Sequence, residues 1–217
     1  MLRPRHSAQL LDAGMRIAIS IGMSSEHLTV DPTNETLGWR RTVDLLVLDQ
    51  VRIEAWDRIL FVECGDGWIV EEAWRRMGKG CVCGLSTSQR LVDLAVRLRG
   101  VPGRVEFKTW GGERFPLPDR SFDRVISCVP WHGYLEPVAV LREMARVLRP
   151  DGNAYLLEFD GSTPPIPEAV QVAHLGQLLA NTGLGEVRWD HGETAPSGEG
   201  DRATPVVGHA RPRPAGT

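Results

Sequence analysis

Residues 122–159 read FDRVISCVPWHGYLEPVAVLREMARVLRPDGNAYLLEF, and this stretch decides the class of fold. Its two ends, residues 122–128 and 154–159, are short and mostly apolar, as is typical of buried strands. The middle, residues 136–148, predicts a helix, because Pro137 lies in its first turn, Pro150 follows its end, and its apolar residues recur three and four positions apart. A strand, a helix and a strand in this order indicate a parallel pair joined by a crossover helix.

The same alternation extends in both directions along the chain. Helices closed by glycines separate the upstream strands, and two short strands follow the decisive stretch, so the sequence predicts an α/β domain with a mostly parallel sheet. The remaining predicted strands are ILFV (59–62), CVCGL (81–85), RVEFK (104–108), EVRW (186–189) and PVVGHA (205–210). The remaining predicted helices are residues 35–56, 68–77, a segment with Leu91, Leu94, Ala95 and Leu98 as its buried stripe, and 168–182.

Length and composition limit the classes of function. The 217 residues suit one domain, which we place at residues 36–212, with an N-terminal extension at 1–35 and a loose tail at 213–217. No apolar run approaches the ~20 residues that span a bilayer, and the apolar run at 18–23 is too short for a secretory signal. The net charge of −3 favours neither a nucleic-acid nor a membrane partner.

The four cysteines suggest a reducing compartment, so we expect a cytoplasmic protein. Cys64, Cys81, Cys83 and Cys128 lie in or beside apolar strands and do not form a disulfide framework. Cys81 and Cys83 have no second ligand pair at a metal-binding spacing, so no metal site is predicted.

Parallel sheets bind their ligands beyond the carboxyl ends of the strands. Those ends are predicted at residues 63–68, 85–88, 110–113 and 128–134. Gly65 lies in the first of these turns, where a bare backbone and a helix N-terminus suit a ligand.

Several motifs resemble those of the class I S-adenosylmethionine-dependent methyltransferases, especially the small-molecule, quinone-methylating type. The resemblance runs from about residue 57 to 212 and is carried by Ser121-Phe122-Asp123, by the helix with Leu141-Arg142-Glu143, and by residues 149–152, RPDG. It implies a three-layer, Rossmann-like fold around a seven-stranded, mostly parallel sheet with a final antiparallel strand. It also implies S-adenosylmethionine as the cofactor and methyl transfer to a small molecule.

The cofactor motifs depart from the family pattern. Phe61 stands where the first strand of the family carries an acid, and Glu63 replaces the first glycine of the following turn. Ser86 stands where an acid grips the ribose hydroxyls, and Gly111 where an Asp lies near the adenine. These losses leave three hypotheses: an active methyltransferase, a catalytically inactive relative that serves as a binding or regulatory subunit for a protein partner, or a domain that binds a different nucleotide in the same crevice.

The resemblance assigns residues to the cofactor. The glycines would provide backbone contacts, Ser86 would contact the ribose, and residues 110–113 would contact the adenine. Glu63 or Asp66 could face the ammonium or sulfonium charge, and Trp110 or Trp68 could stack on the adenine or face the sulfonium. The predicted cofactor-binding residues are Glu63, Gly65, Asp66, Gly67, Ser86, Trp110, Gly111 and Gly112.

The substrate side offers one candidate catalytic residue. His132 follows the fourth strand and is either a general base or a loop histidine that packs or caps the next helix. The link at residues 159–169 is too short for a lid, so cover must come from residues 1–40 or from a partner chain. Trp56 and Trp74 are predicted to lie in the core.

Overall fold

The computed structural model describes residues 35–130, 134–160, 179, 181–185, 187–191 and 204–213. This part of the chain contains four helices and seven strands. The helices are α1 (Glu35–Gln50), α2 (Trp68–Met77), α3 (Gln89–Arg99) and α4 (Pro137–Val147). The strands are β1 (Arg58–Val62), β2 (Cys81–Ser86), β3 (Val105–Thr109), β4 (Phe122–Pro130), β5 (Leu148–Asp160), β6 (Arg188–His191) and β7 (Thr204–Ala210).

Capping residues set the helix boundaries. Helix α2 lies between Gly67 and Gly78, which both adopt left-handed backbone conformations with φ values of 80° and 77°. Helix α3 begins after Ser88, whose side chain accepts a hydrogen bond from the Leu91 backbone N–H. Helix α4 begins at Pro137. Proline lacks a backbone N–H, but no hydrogen bond is lost, because an N–H in the first turn has no partner within the helix.

The strands form one sheet in the order β3-β2-β1-β4-β5-β7-β6. Strand β7 runs antiparallel to β5 and β6, and the other pairings are parallel. The chain moves outward from β1 to β3 and then returns to place β4 on the other side of β1. The order therefore reverses beside β1, and its carboxyl end lies where such sheets hold ligands. The predicted fold class is confirmed.

An apolar core lies on each face of the sheet, so the domain has three layers. Helices α1, α2 and α3 pack over one face, where Val47, Ile69 and Val92 lie in the core. Helix α4 covers the other face with Leu141 and Met144. Phe61, in the position where the family carries an acid, is fully buried within the first core.

Four details differ from expectation. Trp56 is 72% exposed and stacks under the Lys79 ammonium group at 5.3 Å, so its predicted place in the core is wrong. Leu98 is 58% exposed, because α3 turns Val92 and Ala95 toward the sheet. Strand β5 begins at once after α4, and Leu148 pairs with Phe122. The helix predicted over residues 35–56 ends at Gln50.

Residues 1–34 of the extension predicted at 1–35, and most of the predicted helix at 168–182, lie outside the described residues. Within the described ranges, no helix has the length and apolar character needed to cross a membrane. The same ranges contain no group of three or more His, Cys, Asp or Glu side chains arranged to hold a metal ion.

Candidate active site

The turn after β1 combines one open glycine with one tightly packed glycine. Gly65 has a φ of 60°, and a Cβ built on it would meet no atom within 4 Å. A Cβ on Gly67 would lie 2.5 Å from the Phe107 ring, so this glycine lets α2 approach the sheet. The predicted ligand contact therefore suits Gly65, whose backbone borders open space, whereas Gly67 has a packing role.

Glu63 begins this turn, and its side chain connects three strand ends. Carboxylate oxygen Oε1 accepts hydrogen bonds from the Thr87 backbone N–H at 3.0 Å and from the Trp110 indole Nε1–H at 2.8 Å. Oxygen Oε2 lies 3.4 Å from Ser86 Oγ and 3.5 Å from Thr87 Oγ1. The carboxylate therefore sits beyond the carboxyl ends of β1, β2 and β3 together.

The backbone and the charge of Glu63 are both unfavourable in isolation. Its φ of 57° is left-handed, which costs a non-glycine residue about 1–2 kcal/mol. Burial raises the pKa of its carboxyl, and hydrogen bonds from Trp110, Thr87 and Ser86 oppose only part of that rise. Such a residue persists only where its surroundings hold it in place.

Ser86 ends β2 with its side chain almost fully buried. Only 1% of the residue is exposed, and Oγ accepts a hydrogen bond from the Ser88 backbone N–H at 3.2 Å. The hydroxyl thus links Glu63 to the start of α3. This arrangement leaves Ser86 little surface for the ribose contact that the sequence predicts.

The loop after β3 supports Glu63 and then opens. Trp110 is 5% exposed and packs edge-on against Phe115, with ring centroids 4.9 Å apart. Its ring lies in the core, and its indole N–H donates the hydrogen bond to the Glu63 carboxylate. A Cβ on Gly111 or Gly112 would meet nothing within 4 Å, so the backbone here borders open space.

Asp66 is committed to two arginines. Its carboxylate accepts hydrogen bonds from Arg41 of α1 at 2.5 and 3.1 Å, and from Arg99 of α3 at 3.1 Å. Burial tends to raise the pKa of this carboxyl, but hydrogen bonds from Arg41, Trp68 and Arg99 and the Arg41 charge outweigh it and lower the pKa. The Arg41 guanidinium also lies 4.7 Å from the Trp68 ring centroid. Asp66 thus joins helices, and its predicted role toward a cationic ligand stays a prediction.

A buried tyrosine, Tyr134, follows β4 and was not among the residues predicted for the site. The Tyr134 hydroxyl lies 2.8 Å from Ser127 Oγ, which donates to the Val129 carbonyl at 2.6 Å. Burial raises the pKa of Tyr134 well above its ordinary value, so the phenol stays protonated. The adjacent WHGY sequence at 131–134 was the available signal. His132, the predicted general base, lies outside the described residues.

Helix α1 adds a second charged cluster beside the turn. Asp44 is buried and accepts hydrogen bonds from Arg40 at 3.1 Å and Arg41 at 3.5 Å. Burial raises the pKa of Asp44, and the Arg40 charge opposes that rise. The helix thereby brings two guanidinium groups to the end of the sheet where the turn lies.

Comparisons with known proteins show what this chain is similar to. Residues 59–152 match the family model described as a methyltransferase domain. The chain is similar to the demethylmenaquinone methyltransferase of Lactobacillus johnsonii, with 30% identity over 133 residues, which cover 59% of this chain and 53% of that protein. The chain therefore spans about half the length of this relative.

Two solved structures share the fold at lower identity. One is a methyltransferase in complex with the Trm112 methyltransferase activator of Haloferax volcanii, with a TM-score of 0.62 and 18% identity, covering 84% of this chain and 98% of that one. The other is an S-adenosylmethionine-dependent methyltransferase from Aquifex aeolicus, with a TM-score of 0.54 and 19% identity, covering 91% and 98%.

Proposed function

We propose that this chain is a class I S-adenosylmethionine-dependent methyltransferase that transfers a methyl group to a small molecule. One observation carries the proposal: an open glycine turn and a partly buried carboxylate lie together at the carboxyl ends of β1, β2 and β3, beside the reversal of strand order. The small-molecule acceptor is suggested by the name of the Lactobacillus johnsonii relative.

The residues around the turn fit the cofactor, although with a changed set of donors. Gly65 leaves the space that a side chain would fill, and Gly111 and Gly112 leave similar space after β3. Glu63 keeps one carboxylate at this end of the sheet despite the loss of the family acids at Phe61 and Ser86.

When bound, S-adenosylmethionine supplies an electrophilic methyl group on a sulfonium centre. The protein's part in such a reaction is mainly to position the reactants and exclude water. The Gly65 backbone would approach the ligand, and Trp110 would hold the Glu63 carboxylate in place. His132, which follows β4, is the proposed base for an acceptor that must lose a proton.

A second candidate is a pseudo-enzyme that acts as a binding or regulatory subunit. Two observations favour the pseudo-enzyme. Phe61 is buried, and the Asp66 carboxylate is paired with Arg41 and Arg99, so two possible cofactor contacts are removed. The complex of the Haloferax volcanii relative with an activator protein makes a protein partner a related proposal.

Calorimetric titration of the full chain with S-adenosylmethionine and S-adenosylhomocysteine separates the two. We expect saturable binding with a Kd below about 100 μM, equivalent to roughly −5.5 kcal/mol. Acceptor-dependent formation of S-adenosylhomocysteine, measured with a panel of small phenols and quinols, would then identify the substrate class. The absence of heat up to millimolar ligand would contradict the methyltransferase proposal and favour the pseudo-enzyme.

The chain offers a matched pair of control variants. Gly65 and Gly78 are both left-handed and both border open space, so alanine should impose similar strain at either position. Gly65→Ala places a methyl group at the proposed ligand contact and should weaken binding several-fold. Gly78→Ala, at the far end of α2, should bind like the wild type.

A further inference from the structure

The two oxygens of the Glu63 carboxylate are unequally satisfied. Oε1 accepts two short hydrogen bonds, at 3.0 Å from the Thr87 N–H and 2.8 Å from the Trp110 N–H. Among the described residues, Oε2 has only two hydroxyl neighbours, Ser86 at 3.4 Å and Thr87 at 3.5 Å, beyond the usual 2.5–3.0 Å for O–H···O bonds. One oxygen is thus anchored, and the other retains capacity for a further donor.

The described hydrogen-bond donors to the Glu63 carboxylate are all neutral groups. They are the Trp110 indole, the Thr87 backbone N–H and two hydroxyls, and their hydrogen bonds oppose the rise in pKa that burial causes. Asp66, in the same turn, is instead paired with Arg41 and Arg99. A ligand hydroxyl can donate to such a carboxylate in the same way as these neutral groups do.

The surroundings of Oε2 indicate which part of a ligand would donate to it. The carboxylate lies beside the end of β2, close to the open Gly65 turn and joined to Trp110 at the start of the open loop of Gly111 and Gly112. A ligand that follows this edge from the turn to the loop would present its middle portion to Oε2. In an adenosyl ligand the middle portion is the ribose, which carries two adjacent hydroxyls.

We propose that the Glu63 carboxylate binds the ribose hydroxyls of the adenosyl ligand, reaching from the β1 turn to the end of β2. The inference rests on the proposed function and assigns the ribose contact to Glu63 in place of Ser86. Ser86 is buried and engaged with the Ser88 N–H, so its hydroxyl supports the carboxylate. The acid that β2 lacks is thereby supplied from the neighbouring strand.

Glu63→Gly gives a sharp test, because it restores space and removes a left-handed non-glycine residue. If Glu63 binds the ribose, this variant should bind S-adenosylhomocysteine about 10- to 100-fold more weakly than the wild type, although its pocket is larger. If the side chain instead blocks the pocket, the same variant should bind more tightly. The readout is calorimetric affinity, so no acceptor or activity is needed.

Two further measurements tie the loss to the hydroxyls. The wild type should bind the 2′-deoxy analogue of S-adenosylhomocysteine about 10-fold or more weakly than the parent, whereas Glu63→Gly should hardly distinguish the two. The double variant Glu63→Gly, Ser86→Asp moves the acid back to β2 and should recover most of the lost affinity. Glu54→Gln, an exposed carboxylate before β1, should bind both ligands like the wild type.

The outcomes separate this inference from the function on which it rests. If the wild type fails to bind S-adenosylhomocysteine, both are overturned. If the wild type binds and Glu63→Gly binds equally well or better, the ribose assignment alone is overturned. Equal discrimination of the 2′-deoxy analogue by the wild type and Glu63→Gly also contradicts it.

Discussion

Glu63 shows how one residue can link backbone strain, burial and hydrogen bonding at a single position. Glycine would relieve its left-handed φ of 57°, and exposure would relieve the desolvation of its carboxylate. The donors from Thr87 and Trp110 offset these costs. Strain of this kind is characteristic of ligand-binding sites, and here it lies beside the open Gly65 turn.

The titration of Glu63 makes stability depend on pH with a defined sign. Its ordinary pKa is 4.5, and burial raises the pKa in the folded state. Above pH 4.5 the folded chain therefore binds more protons than the unfolded chain, so the free energy of unfolding decreases as pH rises through the folded-state pKa. Glu63→Gln removes this titration.

We therefore expect the wild type to lose stability relative to Glu63→Gln as pH rises from about 4 to 8. Urea unfolding of both proteins across this range measures the difference. The carboxyls of Asp44 and Asp57 also have raised pKa values, but they are common to both proteins. A difference that is constant, or that grows in favour of the wild type with pH, would contradict the burial argument.

Among the elements, α1 depends on charge contacts as well as on its apolar face. Val43 and Val47 lie in the core, and Arg41 reaches Asp66 in the turn after β1. Asp66 also accepts a hydrogen bond from Arg99, so one carboxylate joins α1 and α3 to the turn. Loss of the contact between Arg41 and Asp66 should destabilise α1 more than the turn, because Arg99 still donates to Asp66.

Arg41→Ala should lower the free energy of unfolding by about 1–2 kcal/mol, since a partly buried, charged hydrogen bond is lost. Amide hydrogen exchange in α1 should accelerate more than in α2 or α3. Arg52→Ala is the control, because its pair with Glu54 is exposed and should contribute less than about 0.5 kcal/mol. Equal effects of both variants would show that Arg41 does not secure α1.

The helices whose ends carry clear capping residues were predictable from sequence. The bounds of α2 agree with the prediction at both ends, because glycines at 67 and 78 fix them. Helix α3 is less well predicted: its apolar residues extend around the surface, so Leu98 matched the helical period yet is exposed. The prediction that Trp56 lies in the core was wrong for a similar reason, since hydrophobicity does not indicate which residues of a loop face solvent.

The site was predictable in location but not in its contacts. The carboxyl ends of parallel strands indicated the turn at 63–67 and the loop at 110–113. The direction of the Glu63 side chain and the pairing of Asp66 depend on Trp110, Arg41 and Arg99, which lie 25 to 47 positions away in sequence. Contacts between such distant residues follow from the folded sheet and leave no local pattern.

The two apolar cores share one sheet, so a substitution that disrupts packing on one face should destabilise the whole domain. Gly84 in β2 shows how closely the layers approach. A Cβ there would lie 2.6 Å from Cys64 Sγ and 2.7 Å from the Phe107 ring. The absence of a side chain thus allows the β1 turn, β2 and β3 to pack together.

Gly84→Ala should destabilise the protein by about 1–3 kcal/mol, because Phe107 and Cys64 must shift to admit the methyl group. We expect a fall in Tm of roughly 3–10 °C with a single unfolding transition. The slope of the free energy of unfolding against urea concentration should be unchanged. Gly111→Ala is the matched control, since its Cβ meets nothing within 4 Å, and its stability should stay within about 0.5 kcal/mol of the wild type. Two separate transitions in Gly84→Ala would show instead that the faces of the sheet unfold independently.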